Sequence, residues 1–405
     1  MSMNRRAVLR SAAAAGAATL LPRASRAEDS TGITATEIRI GSTTALSGPA
    51  SSLGVQARCH EAFFNMINDQ GGIAGRMIKF IYYDDGFQPA KTVEQVRRLV
   101  ENDEVAILFS MLGTAPNSAV VNYINQRKVP HLFLSVNGDK WGNYKMYPWT
   151  MPFAPSARIE SQIYTKYALQ QNPKAKFAIL YQNDDLGKDY VAGVRDVLGA
   201  DFDSRAKAVP YQLTDATMDT QLVLLKASEA DVLISGTTAK FGAQAIKKVY
   251  ELDWKVQHFI ANGSSSASSV INPAGADRAI GLISSAYVKD QNDTEWNNDE
   301  GVNDYRRFMQ KYFPGGDAND FFNMNAYTAV SLLLHVLKQC GNGLSRDNIM
   351  KQAENMKDVV LPTLLPGIKV NTSPSDHQPL QQLQLQRWDG KGWTRFGDII
   401  EGAGA

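Results

Sequence analysis

Two Asp-Asp pairs and five histidines are the residues of this 405-residue chain with the plainest chemical capacity. Asp84-Asp85 and Asp184-Asp185 each follow a short apolar run. As an acid/base couple, either pair would move protons. Acids at strand ends more often cap the next helix and accept hydrogen bonds from loop amides, and that structural reading is the stronger one. Asp184-Asp185-Leu186-Gly187 also sits at a strand's carboxyl end, so Asp185 and Leu186 are candidates to meet a ligand. No two of His60, His131, His258, His335 and His377 stand at metal-ligand spacing. His131 and His258 open strands, where a structural or surface role is expected. The chain carries no Gly-x-Ser-x-Gly, no Gly-x-x-x-x-Gly-Lys-Ser/Thr and no His-Glu-x-x-His. It has no Cys/His set with zinc spacing. No catalytic residue, metal or cofactor is expected, and binding becomes the chemistry to look for.

Four loops suit it. Leu46-Ser47-Gly48-Pro49-Ala50-Ser51-Ser52-Leu53-Gly54 follows the first expected strand. Ser110-Met111-Leu112-Gly113-Thr114-Ala115-Pro116-Asn117 follows the third, and Ser135-Val136-Asn137-Gly138 the fourth. Gly236-Thr237-Thr238 ends a strand of the second half. All are small, polar and placed before helices, where open α/β sheets bind ligands. Helix-start amides favour anions such as carboxylates. Any strand-to-helix loop is small and polar, so the weight lies in the recurrence.

The elements that position these loops alternate. Apolar runs at 38–45, 77–83, 105–109, 131–134, 176–181, 231–235 and 258–260 read as strands. Amphipathic stretches near 52–68, 89–101, 116–126, 156–169, 188–198, 217–226 and 240–251 read as helices. Several strand runs are apolar without alternation, as in sheets covered on both faces. The pattern predicts an α/β fold with two doubly wound lobes and parallel-type central sheets. It restarts after Tyr147-Pro148-Trp149-Thr150-Met151-Pro152 and changes again near 283–289 and 361–366. Two helices, 295–312 and 321–340, lie between the last two changes. Three crossovers divide the chain into an export signal at 1–27, lobe one at 28–150 and 287–361, and lobe two at 151–286 and 362–405.

Residues 1–27 hold Arg5, Arg6, Arg10, Arg23 and Arg26, no acid, an Ala-rich stretch and Ala24-Ser25-Arg26-Ala27. This reads as a cleaved signal, and therefore a periplasmic protein. Arg5-Arg6-Ala7-Val8-Leu9 resembles the twin-arginine pattern; an ordinary Sec signal is the alternative. Without it, 37 basic side chains face 41 acidic ones, a net charge of −4. Such a chain is not drawn to nucleic acid or anionic membranes. No apolar run reaches membrane-spanning length. Cys59 and Cys340 sit in apolar helical contexts and read as two buried thiols rather than a pair.

The loops also carry a resemblance. Ile38-Arg39-Ile40-Gly41 with Leu46-Ser47-Gly48-Pro49, Gly71-Gly72-Ile73-Ala74-Gly75 and Tyr83-Asp84-Asp85 are similar to the leucine/isoleucine/valine-binding proteins, the type I periplasmic binding proteins. Leu112-Gly113-Thr114-Ala115-Pro116-Asn117, Lys128-Val129-Pro130, Pro148-Trp149-Thr150 and Gln182-Asn183-Asp184-Asp185-Leu186-Gly187-Lys188 resemble a subgroup, some members of which take up aromatic or other organic carboxylates. The resemblance implies two lobes, three crossovers, a ligand between the lobes and an ABC permease as partner. Carried over, Thr114, Ser135 and Asn137 would hold a carboxylate. The acid that holds an amino acid's ammonium should fall in Ala261-Asn262-Gly263-Ser264-Ser265-Ser266, which has none. A buried ammonium without a counter-charge is costly. The apolar wall would be Leu53, Leu186, Phe322 and Met324; core packing is an equal reading of the last two. The remaining binding candidates are Ser51, Ser52, Leu112, Gly113, Val136, Asp185, Thr237 and Ser264. The expected function is capture of a small organic carboxylate with an apolar or aromatic body for an ABC importer. A branched-chain amino acid is the first alternative. A sensor or an enzyme on the same fold are the others.

Overall fold

The computed structural model describes residues 30–48 and 50–402. The expected export signal, Pro49 and the last three residues lie outside the described residues.

Two sheets organise the chain. In the first, β1 (Glu37–Thr44), β2 (Met77–Asp84), β3 (Ile107–Phe109), β4 (His131–Leu134) and β5 (Thr150–Pro152) run parallel in the order β2-β1-β3-β4-β5. Helices α1 (Val55–Asp69), α2 (Pro89–Arg97) and α3 (Thr114–Gln126) make the crossovers. β3 and β4 are buried throughout, which explains apolar runs without alternation. The buried side chains of α1, Cys59, Phe63, Phe64 and Ile67, share a core with Ile38, Ile40 and Phe109 of the sheet.

After Pro152 the chain begins again. α4 (Ala157–Gln171), β6 (Phe177–Gln182), α5 (Asp185–Leu198), the short α6 (Phe202–Arg205) and β7 (Ala206–Tyr211) open the second sheet. α7 (Asp219–Lys226), β8 (Val232–Gly236), α8 (Ala239–Glu251), β9 (Gln257–Ile260), the short α9 (Asn272–Ala274) and β10 (Ile283–Ala286) continue it. Side-chain caps define two of these helix starts: Ser156 accepts from the Ile159 amide and Asp184 from the Gly187 amide.

The chain then forms α10 (Glu300–Tyr312), α11 (Phe321–Gln339) and α12 (Arg346–Ala353). α11 is buried nearly all round and packs on α1, which returns this segment to the first sheet. Finally β11 (Gln382–Trp388) and β12 (Trp393–Glu401) complete a second sheet of order β12-β11-β10-β9-β8-β6-β7.

The expected parallel sheets therefore need one amendment: β11 and β12 are antiparallel, a hairpin added beside β10. β7 was not expected either. It carries Pro210, which has no amide to give a ladder, and it lies at the sheet edge where that is tolerated. Cys59 and Cys340 are free and buried, as two separate thiols. Burial pushes both above the usual thiol range, Cys340 up to about 12.

Candidate functional site

The starts of α1, α3, α5 and α8 converge on one cavity of about 130 Å³ between the sheets. Each follows the carboxyl end of a strand. From the first sheet's side come Leu53, Leu112, Gly113, Thr114, Ser135, Val136, Asn137 and Phe322. Leu186 and Thr237 come from the second. The cavity joins a smaller one of about 50 Å³, lined by Phe133, Tyr287 and Asn325 and sharing Gln56, Asn137 and Phe322. A separate open groove of about 640 Å³ lies by Trp254, His258 and Ile280, at the amino ends of β9 and β10, away from these helix starts.

Five candidates stand elsewhere. Ser51 and Ser52 are exposed in the single turn before α1. Asp185 is half exposed and pairs with Lys140 at 2.7 Å; that lysine holds its carboxyl below the usual range. The acid that lines the cavity is its neighbour Asp184. Ser264 is buried behind the wall and donates to the Thr237 carbonyl at 2.6 Å. Met324 is fully buried in the main core and does not line the cavity.

Several lining residues were not anticipated: Gln56, Phe87, Gln182, Tyr190 and the helix-start residues Ala115, Thr238 and Ala239. Gln56 lies at the second position of α1 and accepts the Ser135 hydroxyl at 2.9 Å. Phe87 has φ +61°, uncommon for an aromatic residue. It is held there by its N–H, which donates to the Asp85 carboxylate at 2.9 Å, and Asp85 is fixed by the Thr92 hydroxyl, which donates to it at 2.9 Å. Its ring covers Gly113, where a Cβ would stand 2.4 Å away; with φ +89° this position accepts only glycine. Asp84 accepts from the amides of Leu46 and Gly86 and from the Ser47 hydroxyl. Burial raises its pKa, but these bonds outweigh burial and leave it below the usual range. Both members of the first acidic pair thus shape loops, as read from the sequence.

Below the second-sheet wall lies Glu160 of α4, buried. It accepts from Tyr164 (2.7 Å), the Asn262 amide (2.8 Å), Ser285 (2.5 Å) and Tyr190. Burial raises its pKa against these four bonds. The Tyr190 ring packs on Gly236, where a Cβ would meet it at 2.5 Å. Asp184 caps α5 and also accepts from Gln182. Among the described residues no Lys, Arg or His lines the cavity. α3 and α8, each 13 residues long, begin there without a side-chain cap, so their first-turn amides are available to an acceptor.

Contacts cross between the sheets beside this cavity. Lys140, between β4 and β5, bonds both Ser118 of α3 and Asp185 of α5, each at 2.7 Å. The Asp139 amide donates to Asp189 of α5 at 2.7 Å. Burial first, then the charges of Asp139 and Asp185, push the Asp189 carboxyl up to about 7; the Asp139 amide and Arg158 oppose them. Among the described residues no cluster of His, Cys, Asp and Glu could hold a metal ion, and no helix is long and apolar enough to cross a membrane. His60, His131 and His258 are buried, which lowers each to about 3.

Residues 37–393 match the periplasmic binding protein family. The chain belongs to that family. Solved structures share its fold. A "possible leucine/isoleucine/valine-binding protein" from Rhodopirellula baltica is 19% identical over 91% of this chain and 98% of its own, with a TM-score of 0.78. A branched chain amino acid ABC transporter protein from Thermus thermophilus with bound valine is 14% identical over 91% and 97%, TM-score 0.80. An ABC transporter solute binding protein from Rhodopseudomonas palustris, in complex with 3,4-dihydroxy benzoic acid, is 18% identical over 90% and 98%, TM-score 0.73. No curated protein matches this chain by sequence. As a periplasmic binding protein the chain is a solute-binding receptor, and its cavity sits where doubly wound sheets take ligands.

Proposed function

We propose that this periplasmic binding protein captures a small organic carboxylate with an apolar or aromatic body and delivers it to an ABC permease. The observation that carries the reading is the engagement of every acid near the cavity. Glu160 is filled by four donors, Asp185 is paired with Lys140, and Asp184 caps α5. Glu160 and Asp185 are thereby drawn away from the cavity and Asp184 on its wall already holds two donors, whereas uncapped helix starts and the Thr114 hydroxyl suit an anion. Leu53, Leu112, Val136, Leu186, Phe87 and Phe322 supply the apolar wall. The bound carboxylate of the Rhodopseudomonas palustris neighbour is consistent with this class.

Lobe one comprises residues 28–150 and 287–361; lobe two comprises 151–286 and 362–405. Lobe one holds the carboxylate, lobe two closes over it by hinge motion, and the permease reads the closed form. The protein has no catalysis of its own. Residues 1–27 direct export, by the twin-arginine route, to the periplasm. A branched-chain amino acid is the second reading; Asp184 on the cavity wall and the valine-bound neighbour favour it.

A thermal-shift panel on residues 28–405 separates the two. A ligand at a hundredfold excess over its Kd adds about 2.7 kcal/mol of stability. Stabilisation by amine-free carboxylates supports the proposal. Stabilisation by leucine-like amino acids alone overturns it.

A further inference from the structure

The carboxyl ends of β6 and β8 lie level in the second sheet, where Tyr181 pairs with Gly236. Thr237 follows β8, lines the cavity and is 5% exposed. Its hydroxyl has no hydrogen-bond partner. The neighbouring Ser264 hydroxyl does not serve it, being spent on the Thr237 carbonyl. A buried hydroxyl left alone is costly, so it marks a place for a ligand atom. Beside it α8 begins uncapped. The Thr238 amide goes to the Tyr211 hydroxyl at 3.2 Å, and that hydroxyl donates to Gln182 at 3.2 Å. The Gln182 amide donates in turn to Asp184. One hydrogen-bonded chain therefore ties the start of α8 to the Asp184 carboxylate.

This corner offers donors, from Thr237 and α8, beside one acceptor, Asp184. A second carboxylate would meet Asp184 with no Lys, Arg or His on the wall. An ammonium would meet the positive end of a helix. A neutral hydroxyl accepts from the first set and donates to the second. We infer that the ligand carries a hydroxyl at the end remote from its carboxylate, and that Thr237, with the start of α8 and Asp184, selects it. This rests on the carboxylate reading above.

Calorimetry on the mature chain compares benzoate with para-hydroxybenzoate, and hexanoate with omega-hydroxyhexanoate. In the pair whose body fits, the hydroxyl should tighten binding about tenfold. Thr237→Val should cut that preference to about threefold or less, and Thr237→Ser should keep it. An unchanged melting temperature without ligand reports that each variant is folded. Equal affinity of the two members in the wild type overturns the inference while the carboxylate reading stands. An undiminished preference in Thr237→Val also overturns it. If none of the four acids binds, the carboxylate reading falls and this inference falls with it.

Discussion

Thr114 opens α3 at the cavity edge, where an anion can meet its hydroxyl and the first-turn amides. Thr114→Val removes the hydroxyl and keeps the shape. It should weaken carboxylate binding about tenfold, read by calorimetry, with the melting temperature little changed. The loops around Thr114, Ser135 and Thr237 were legible in the sequence because small polar residues after apolar runs have one place to go in such a fold. Phe87, Gln56 and Tyr190 were not. Phe87 reaches the cavity through a left-handed backbone that follows Asp85-Gly86, and only that turn signalled it. Gln56 and Tyr190 project from helix faces, one at a helix start and one a turn further along α5, with no loop composition to mark them. Asp184 and Asp185 could not be told apart by type. Lys140, 45 residues upstream of Asp185, decides which acid is drawn away.

Helix α5 is one element through which the two sheets touch, by way of Asp185 and Asp189. Lys140→Met removes a partly exposed ion pair across the cleft. It should raise the ligand Kd about threefold at low salt, with the difference shrinking in high salt. Asp189 has a second consequence. Its carboxyl is raised to about 7 in the fold from about 3.9 in an unfolded chain. The folded state then holds more protons than the unfolded one across that window, so stability falls as pH rises from about 4 to 7 by at most about 1.4 kcal/mol per unit. Asp189→Asn should flatten this slope, measured as melting temperature between acid and neutral pH. Strand–helix alternation made β1 to β4, β6 and β8 readable. β7 was hidden by Pro210. β11 carried a period-two signal in Gln382-Leu383-Gln384-Leu385-Gln386 that a search for fully apolar runs passes over.

The whole molecule is two sheets sharing one cleft, and sequence pattern reached that because the stretch 147–152 ends with β5, the last strand of the first sheet, just before α4. What pattern could not reach is the engagement of the acids, since Glu160 draws its donors from Tyr164, Tyr190, Asn262 and Ser285, spread over 125 residues of chain. This engagement of the acids is also what the functional reading depends on. Isothermal calorimetry of residues 28–405 with leucine and with isocaproate, the same carbon skeleton without the amine, addresses it directly. Heat from isocaproate, with leucine at least about tenfold weaker, is the predicted result. Tight leucine binding with silent isocaproate would contradict it and make Asp184 the counter-charge.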